Sequence, residues 1–364
     1  MGIRFDKDSR RATNGPLIFF SDNSSYGAFA EEVRGAILSG LSFYGYRFPG
    51  SAMVSFGSSE GYMEGIGEPG FVVGMFDYNL PIITIPYKAA KKEIPVSLYD
   101  IPKRSTTFDE YSEEVESIIR LLKGNPHRKV VAARVILNEE SIDIADLFFN
   151  LCRRFPEAYI FCFSTPATGC WIGASPELLL EGSHGSLHSM ALAGTRPSGT
   201  NNSWDIKNIE EQQIVVQYIL DVFQTIGLTP QTDNTFTKIT GSIEHICTPI
   251  TANITMGEDT KFDNKKLEAL LKLLSPTPAL CGNPKEMAFK EIKILEKFDR
   301  GCYGGFCGPF HSINDFTFNV VLRCASVDER KYCIYTGGGI TERSVVADEW
   351  EETKLKALNT FGKE

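Results

Sequence analysis

No stretch of this chain approaches the apolar length needed to cross a bilayer, and the amino-terminal MGIRFDKDSRRATNG lacks the apolar centre of a signal peptide. Neither export nor a membrane span is expected, and a cytoplasmic protein is. No CxxC pair occurs either. The nine cysteines, an odd total, sit mostly in apolar runs, as at Cys152, Cys162 and Cys281. Cys302 and Cys307 have neither the spacing nor the second pair of a zinc site, so reduced thiols are expected and no metal on sulfur. Positive charge is scarce too. With 37 Lys+Arg against 46 Asp+Glu, the formal charge is -9, which gives no general attraction to nucleic acid or anionic membrane. Any anionic substrate must be met by local cations, and a small ligand is favoured. Low-complexity linkers and solenoid periods are absent as well.

What is present is an ordinary globular composition, 364 residues at 42% hydrophobic and 23% charged, enough for an extensive core. PLIFFS, FVVGMFDY and PIITIPY read as early strands, and YGAFAEEVRGAILSGL as an amphipathic helix. Thr107 and Glu110 form a capping box for a helix whose apolar residues Tyr111, Val115, Ile118, Ile119 and Leu122 recur at helical spacing, ended by Gly124, Asn125 and Pro126. KVVAARVIL, AYIFCFS, CWIGA, ELLLEG and LHSMALAG follow as strands. Helices are expected from Trp204 to Ile226 and over KFDNKKLEALLKLL. YGGFCGPF, FNVVLRCASV and CIYTGGGI read as later strands, and a closing helix starts near Ala347.

Several ionisable residues sit in stiff apolar or Gly-rich frames: Lys129 in KVVAAR, Glu177 in GASPELLLE, Glu211 in KNIEEQQIVV, and Glu349 and Glu352 in DEWEETKLK. A buried lysine and a buried glutamate suit proton transfer, and further carboxylates suit a hard divalent cation. Each has a plainer reading. Lys129 alone is equally a lysine snorkelling from a strand start, and Glu177 after Pro176 is equally an exposed turn carboxylate. In a strand, Lys129, Val131 and Ala133 share one face and Val130, Ala132 and Arg134 the other. Glu349, Glu352 and Lys356 fall on one helix face, as do Lys207 and Glu211 on another, which also describes a solvated salt-bridged surface. Gly337, Gly338 and Gly339 lack the GK[ST] ending of a phosphate loop, so a nucleotide site is rejected. His245 reads as a satisfied core histidine.

In order, KVVAAR, GASPELLLE, ALAGTRP, KNIEEQQIVV, SPTPALCGNP, EKFDRGCYGGFCGP, VVLR, YTGGGI and EWEETKLKA resemble the chorismate-utilising enzymes, and most of all isochorismate synthases. The resemblance covers roughly the last two-thirds of the chain; residues 105–364 carry the motifs and 1–104 match only in general character. It implies an α/β fold in a single large domain spanning 1–364, with two antiparallel β-sheets packed face to face and helices outside. It also implies a Mg2+-dependent site acting on chorismate.

The roles it implies are these. Lys129 is the general base that activates water, at a position where ammonia-using members usually carry glutamine, and Glu177 is the general acid. Glu211 and Glu352 are direct magnesium ligands, and Glu349 ligates directly or through water, while Lys356 and Lys207 offset the charge. Arg323 and Tyr303 meet the enolpyruvyl carboxylate. Gly194, Thr195, Ala279, Leu280, Gly337 and Gly339 line the substrate, with Lys356 beside them. TPAL at 277–280 is the form isochorismate synthases tend to carry, and Ser275 stands where a histidine usually precedes PTPA, a histidine associated in lyase members with pyruvate elimination. Asn208 and Gln212 replace an acidic residue and a histidine of the helix motif.

The expected activity is therefore isomerase chemistry, chorismate to isochorismate, with no redox cofactor, no glutaminase partner, and a monomer or weak homo-oligomer. The alternatives are a salicylate synthase, an aminating component and a non-catalytic chorismate-binding regulator. Whether the product feeds a menaquinone, siderophore or salicylate route belongs to neighbouring enzymes.

Overall fold

A computed structural model of the chain describes residues 17–19, 23–88, 99–125, 128–200, 202–254 and 262–363. In chain order its strands are β1 Leu17–Phe19, β2 Ser42–Arg47, β3 Met53–Ser59, β4 Met63–Glu64, β5 Gly70–Gly74, β6 Ile83–Pro86, β7 Lys129–Asn138, β8 Tyr159–Thr165, β9 Gly169–Ser175, β10 Leu178–Ser183, β11 Ser186–Pro197, β12 Gln231–Thr232, β13 Phe236–Thr240, β14 Ile243–Asn253, β15 Gly282–Asn283, β16 Phe306–Ser312, β17 Asp315–Val320, β18 Cys324–Val327 and β19 Tyr332–Ile340. The helices are α1 Asn23–Leu38, α2 Phe108–Leu122, α3 Ile144–Arg154, α4 Ile206–Thr225, α5 Asn264–Leu274, α6 Lys285–Leu295 and α7 Val346–Phe361.

The strands form two antiparallel sheets. One has nine strands in the order β1, β3, β2, β8, β9, β18, β19, β7, β15; the other has ten, with β12, β14, β11, β10, β17, β16, β5, β6 and β4 in sequence and β13 also on β14. Both sheets take strands from early and late in the chain. Inner faces meet through aromatic and aliphatic residues such as Phe71, Phe161, Phe163, Trp171, Leu180 and Phe318, all fully buried. Each such side chain contributes about 1.5–3 kcal/mol by leaving water. The outer face of the nine-stranded sheet is covered at one end by α1 and α3, through Phe29, Val33 and Phe148. At the other end α2 and α6 cover it, through Val115, Ile118 and Ile292. The fold is the α/β arrangement expected, two antiparallel sheets with helices outside.

Local signals account for much of this. Thr107 and Glu110 make the reciprocal capping box at the start of α2. Asp263 caps α5, and Asp205 caps α4 through the Asn208 amide. Strands β2, β3, β4, β12, β13, β14 and β15 and helices α3 and α6 are additions to the sequence reading. The cysteines are free and all but half-buried Cys170 are buried. Among the described residues no helix is long and apolar enough to cross a membrane. Pro126 and the residues on either side of β1 in PLIFFS lie outside the described residues.

One difference positions the site. FNVVLRCASV, read as a single strand, is two strands in different sheets: β17 pairs with β10 in one, and β18 with β9 in the other. Between them Arg323 takes φ 48, the left-handed region that a residue with a Cβ adopts at some cost. β9 and β10 make a parallel change of sheet around Pro176 and Glu177, and the two crossovers are tied by Val320 N donating to Glu177 O at 3.0 Å. Hydrophobicity runs unbroken through VVLRC, so the sequence pattern carries no sign of the change.

Candidate active site

The paired crossovers open a cleft between the sheets, with about 770 Å³ of non-protein space, part of it open to solvent. Its walls bring together Glu177, Gly194, Thr195, Glu211, Ala279, Leu280, Tyr303, Arg323, Gly337, Gly339, Glu352 and Lys356. These come from eight separate segments of sequence.

Lys129 begins β7 and is fully buried. The pairing of Gly339 with Val131 and Gly337 with Ala133 puts both glycines on the face that Lys129 shares. Arg134, on the opposite face, stacks its guanidinium over the Trp350 ring at 4.1 Å. Lys129 Nζ donates to Glu211 Oε1 at 2.5 Å. Burial works to raise the Glu211 carboxyl, but the Lys129 ammonium beside it prevails and holds it below the ordinary range. Gly339 is required here by space: a Cβ on it would lie 2.4 Å from Lys129 Cε and 2.7 Å from Glu211 Oε1.

Glu177 is buried, and its Oε1 has no hydrogen-bond partner among the described residues. Desolvation pushes its carboxyl up to about 8, against the opposing pull of Lys129 and Lys238. At neutral pH it carries a proton, which makes it a donor.

Arg323 projects from its crossover into the same cleft. Its Nη2 donates to His245 Nε2 at 2.6 Å, while Nη1 is buried without a partner among the described residues. Burial pushes the guanidinium down to about 10. A desolvated cation with a free donor is suited to a carboxylate. Tyr303, placed in a turn ahead of β16 rather than within the strand expected there, lines the cleft close to Gly337.

The three carboxylates expected to hold metal are each turned to a lysine. Besides Lys129 and Glu211, Lys207 Nζ meets Glu349 Oε1 at 2.7 Å and Lys356 Nζ meets Glu352 Oε1 at 2.8 Å. Lys356 also donates to Gly337 O at 2.8 Å. Burial disfavours the Lys207 ammonium, but Glu349, Glu211 and Glu352 together raise its hold on the proton. Glu349 is not part of the cleft wall. It lies behind β19, where a Cβ on Gly338 would meet its Oε2 at 3.0 Å. Burial raises the Glu349 carboxyl, Lys207 opposes this, and Glu352 adds to it. Among the described residues no three Cys, His, Asp or Glu side chains are preassembled around an ion. The donor set nonetheless fits a hard divalent cation, since all three groups are carboxylates and Glu349 Oε2 is buried with no partner among the described residues.

The substituted positions of the helix motif face elsewhere. Gln212 is buried and donates to Ala191 O and Thr248 Oγ1, both at 3.0 Å, so it braces α4 on the ten-stranded sheet. Asn208 accepts from Thr195 N at 3.3 Å and donates to Asp205, tying the helix start to the Gly194–Thr195 turn. Ser275 ends α5, and its carbonyl accepts from Lys285 Nζ at 2.7 Å. Two residues acquire weight that the sequence did not give them. His245 is bound to Arg323 rather than merely packed, and Lys238, from the edge strand β13, reaches Pro176 O at 2.6 Å. No spacing or motif around Lys238 announces it.

Comparison with known proteins agrees with this geometry. Isochorismate synthase 2 of Arabidopsis thaliana is 31% identical over 278 residues, covering 72% of this chain and 48% of that protein. Isochorismate synthase EntC of Escherichia coli strain K12 is 31% identical over 281 residues, covering 72% and 68% respectively. The chain thus spans about half the length of the plant relative. The solved structure of MenF, the menaquinone-specific isochorismate synthase of Escherichia coli, superposes with a TM-score of 0.72 at 19% identity, over 88% of this chain and 87% of that one, a likeness of fold. A family model described as "Chorismate binding enzyme" matches residues 84–360, a range that takes in every cleft residue except Phe361, and by that match the chain belongs to the chorismate binding enzymes.

Proposed function

We propose that this chain converts chorismate to isochorismate in a Mg2+-dependent reaction. The observation that carries the reading is Glu177: a buried carboxyl raised to about 8, facing the same cleft as Arg323, with its Oε1 and the Arg323 Nη1 both unpartnered among the described residues. The names of the relatives that match most of the chain point the same way.

Arg323 and Tyr303 orient the enolpyruvyl carboxylate, and the Gly337 and Gly339 backbone allows the ring to approach β19. Lys129, paired as a cation with Glu211 in the ligand-free protein, acts as the base once it has given up that proton: as the neutral amine it takes a proton from water as the water oxygen bonds to ring carbon 2. The ring double bonds shift, the bond from carbon 4 to its hydroxyl breaks, and Glu177 gives its proton to the departing oxygen, which leaves as water. One hydroxyl position is exchanged for another, so the equilibrium lies near unity and no redox cofactor is needed. Glu211, Glu349 and Glu352 would hold the magnesium, which when bound supplies positive charge to a substrate carboxylate. A lysine rather than glutamine at 129 favours water over ammonia, so no glutaminase partner is invoked.

The test is incubation of the purified protein with chorismate, with and without Mg2+, with chromatography of the products and a separate pyruvate assay. Isochorismate without pyruvate, formed only with Mg2+, is the expected outcome. Salicylate with pyruvate would move the chain to the lyase reaction, and binding without product would overturn catalysis.

A further inference from the structure

Glu177 needs a fixed position as well as a proton. Its segment crosses from β9 to β10 without strand pairing of its own, so its backbone is held by individual bonds. Glu177 N donates to Ser175 Oγ at 3.3 Å, and Glu177 O accepts from Val320 N at 3.0 Å. Ser175 Oγ also donates to Glu177 O at 3.3 Å, and a further bond comes from outside the crossovers: Lys238 Nζ donates to Pro176 O at 2.6 Å, with Met190 Sδ at 3.7 Å.

Lys238 is an unusual resident of its strand. Among the described residues β13 pairs only with β14, where Lys238 stands opposite His245, and its neighbours Phe236 and Ile239 are 49% and 55% exposed. Lys238 is half-buried and turned inward. An ammonium withdrawn from water on a sheet edge is disfavoured by desolvation unless it meets partners, and here burial lowers its hold on the proton. Its partners are a carbonyl adjoining Glu177 and the carboxyl of Glu177 itself, felt through space.

We propose that Lys238 is a positioning residue for Glu177, fixing the acid's segment through the Pro176 carbonyl and setting the field in which its carboxyl holds a proton. The inference rests on the assignment of Glu177 as the general acid. The charged and titratable groups around Glu177 are Lys129 from β7, Lys238 from β13 and Cys247 from β14, with Arg323 and Glu157 acting in turn on Lys238. Of the two cations that pull the Glu177 carboxyl downward, Lys129 is matched by Glu211 at 2.5 Å, whereas among the described residues Lys238 bonds only neutral groups in its immediate contacts. Removing its charge therefore leaves burial less opposed, and Glu177 keeps its proton to higher pH.

The experiment is an infrared titration of the protonated-carboxyl band in the ligand-free protein, assigned to Glu177 by subtracting the E177Q spectrum, in wild type, K238M and K238R. The midpoint is expected to rise from about 8 in K238M and to return toward the wild-type value in K238R. Turnover should fall about 10- to 100-fold in kcat with KM little changed, as for a reacting group displaced by a fraction of an ångström. Should K238M fail to fold, K238Q, neutral and still polar, carries the same comparison. A folded neutral variant with an unmoved midpoint overturns the role of Lys238, even if chorismate is turned over. A moved midpoint in a protein that does not act on chorismate sustains the coupling and overturns the acid assignment instead.

Discussion

Arg323 and His245 form a directional pair: the guanidinium Nη2 donates to His245 Nε2 at 2.6 Å, and His245 Nδ1 faces Gly194 O at 2.6 Å. A guanidinium has no acceptor, so Nε2 must be unprotonated and Nδ1 must carry the hydrogen. The imidazole is thereby neutral, and burial together with the Arg323 charge drives its pKa well below 6.5. The unfolded chain takes up a proton below 6.5 that the folded chain refuses, so this contribution to stability is present above that pH and lost as pH falls. Wild-type Tm should drop between pH 6.5 and 5 more steeply than that of H245Q. At pH 7.5, H245F should raise KM for chorismate about tenfold, because Arg323 loses its acceptor and its aim. Steady-state kinetics and thermal melts read both.

For Glu177 the sign is reversed. Its folded pKa is raised to about 8 from 4.5, so the folded protein holds a proton the unfolded chain has given up, and stability from this group is full below 4.5 and lost as pH rises through 8. Glutamine cannot ionise. E177Q should therefore match wild type in Tm near pH 4.5 and exceed it at pH 9, while turnover falls by about 10²–10⁴. Equal melting curves across that range would mean that Glu177 is not held protonated by its surroundings.

Chemistry was more legible in the sequence than topology. Lys129, Glu177, Glu211 and Glu352 each stand in a stiff local frame; the last three line one cleft and Lys129 is bonded to Glu211, because an ionisable residue within apolar sequence has few places to go except the interior. The shared face of Lys129, Val131 and Ala133 follows from strand alternation alone and holds. The change of sheet at Arg323 does not follow from any pattern, since Val320, Val321 and Leu322 suit a strand whichever sheet they join. Helix α3 does carry a signal: Asp143 accepts from the Ala145 and Asp146 amides ahead of Ile144, Phe148, Leu151 and Cys152 at helical spacing. Lys238 could not have been found, because its role depends on β13 being an edge strand beside Pro176.

Lys129 and Glu211 stand or fall together. The lysine side chain is fully buried and the glutamate 14% exposed, so K129M leaves a largely buried carboxylate without its cation, at a cost of about 3–5 kcal/mol. The double variant K129M/E211M should recover most of that loss in denaturant unfolding, yet remain inactive, as K129A should be. If K129M is as stable as wild type, the pair is not the buried ion pair described above.

Magnesium binding is open to measurement without turnover. Calorimetric titration of the protein with MgCl2 should give weaker binding, by about tenfold or more, for E349Q and for E211Q than for wild type, since each removes a charged oxygen donor. E114Q serves as a control. Its carboxyl is buried and raised to about 9 by desolvation and by Glu296, so it is already neutral at pH 7.5 and the substitution changes little charge. Loss of affinity in E114Q equal to that in E349Q would argue against Glu349 as a ligand.

Gly339 separates crowding from chemistry. A methyl group there would sit 2.4 Å from Lys129 Cε, 2.7 Å from Glu211 Oε1 and 2.9 Å from Lys129 Nζ. Backbone strain is not the difficulty, because φ at Gly339 lies outside the region reserved for glycine; the clash is with two side chains the reaction needs in place. G339A should fold, since the clashing atoms belong to side chains rather than to backbone, and kcat should fall about 100-fold as the base is displaced. Gly67 provides the comparison, for a Cβ there would meet only Met63 Cε at an ordinary 3.6 Å, and G67A should keep wild-type rates. Steady-state kinetics of the two variants decide the matter: undiminished turnover in G339A would mean that Lys129 reaches the substrate from a position other than the one it shares with Glu211.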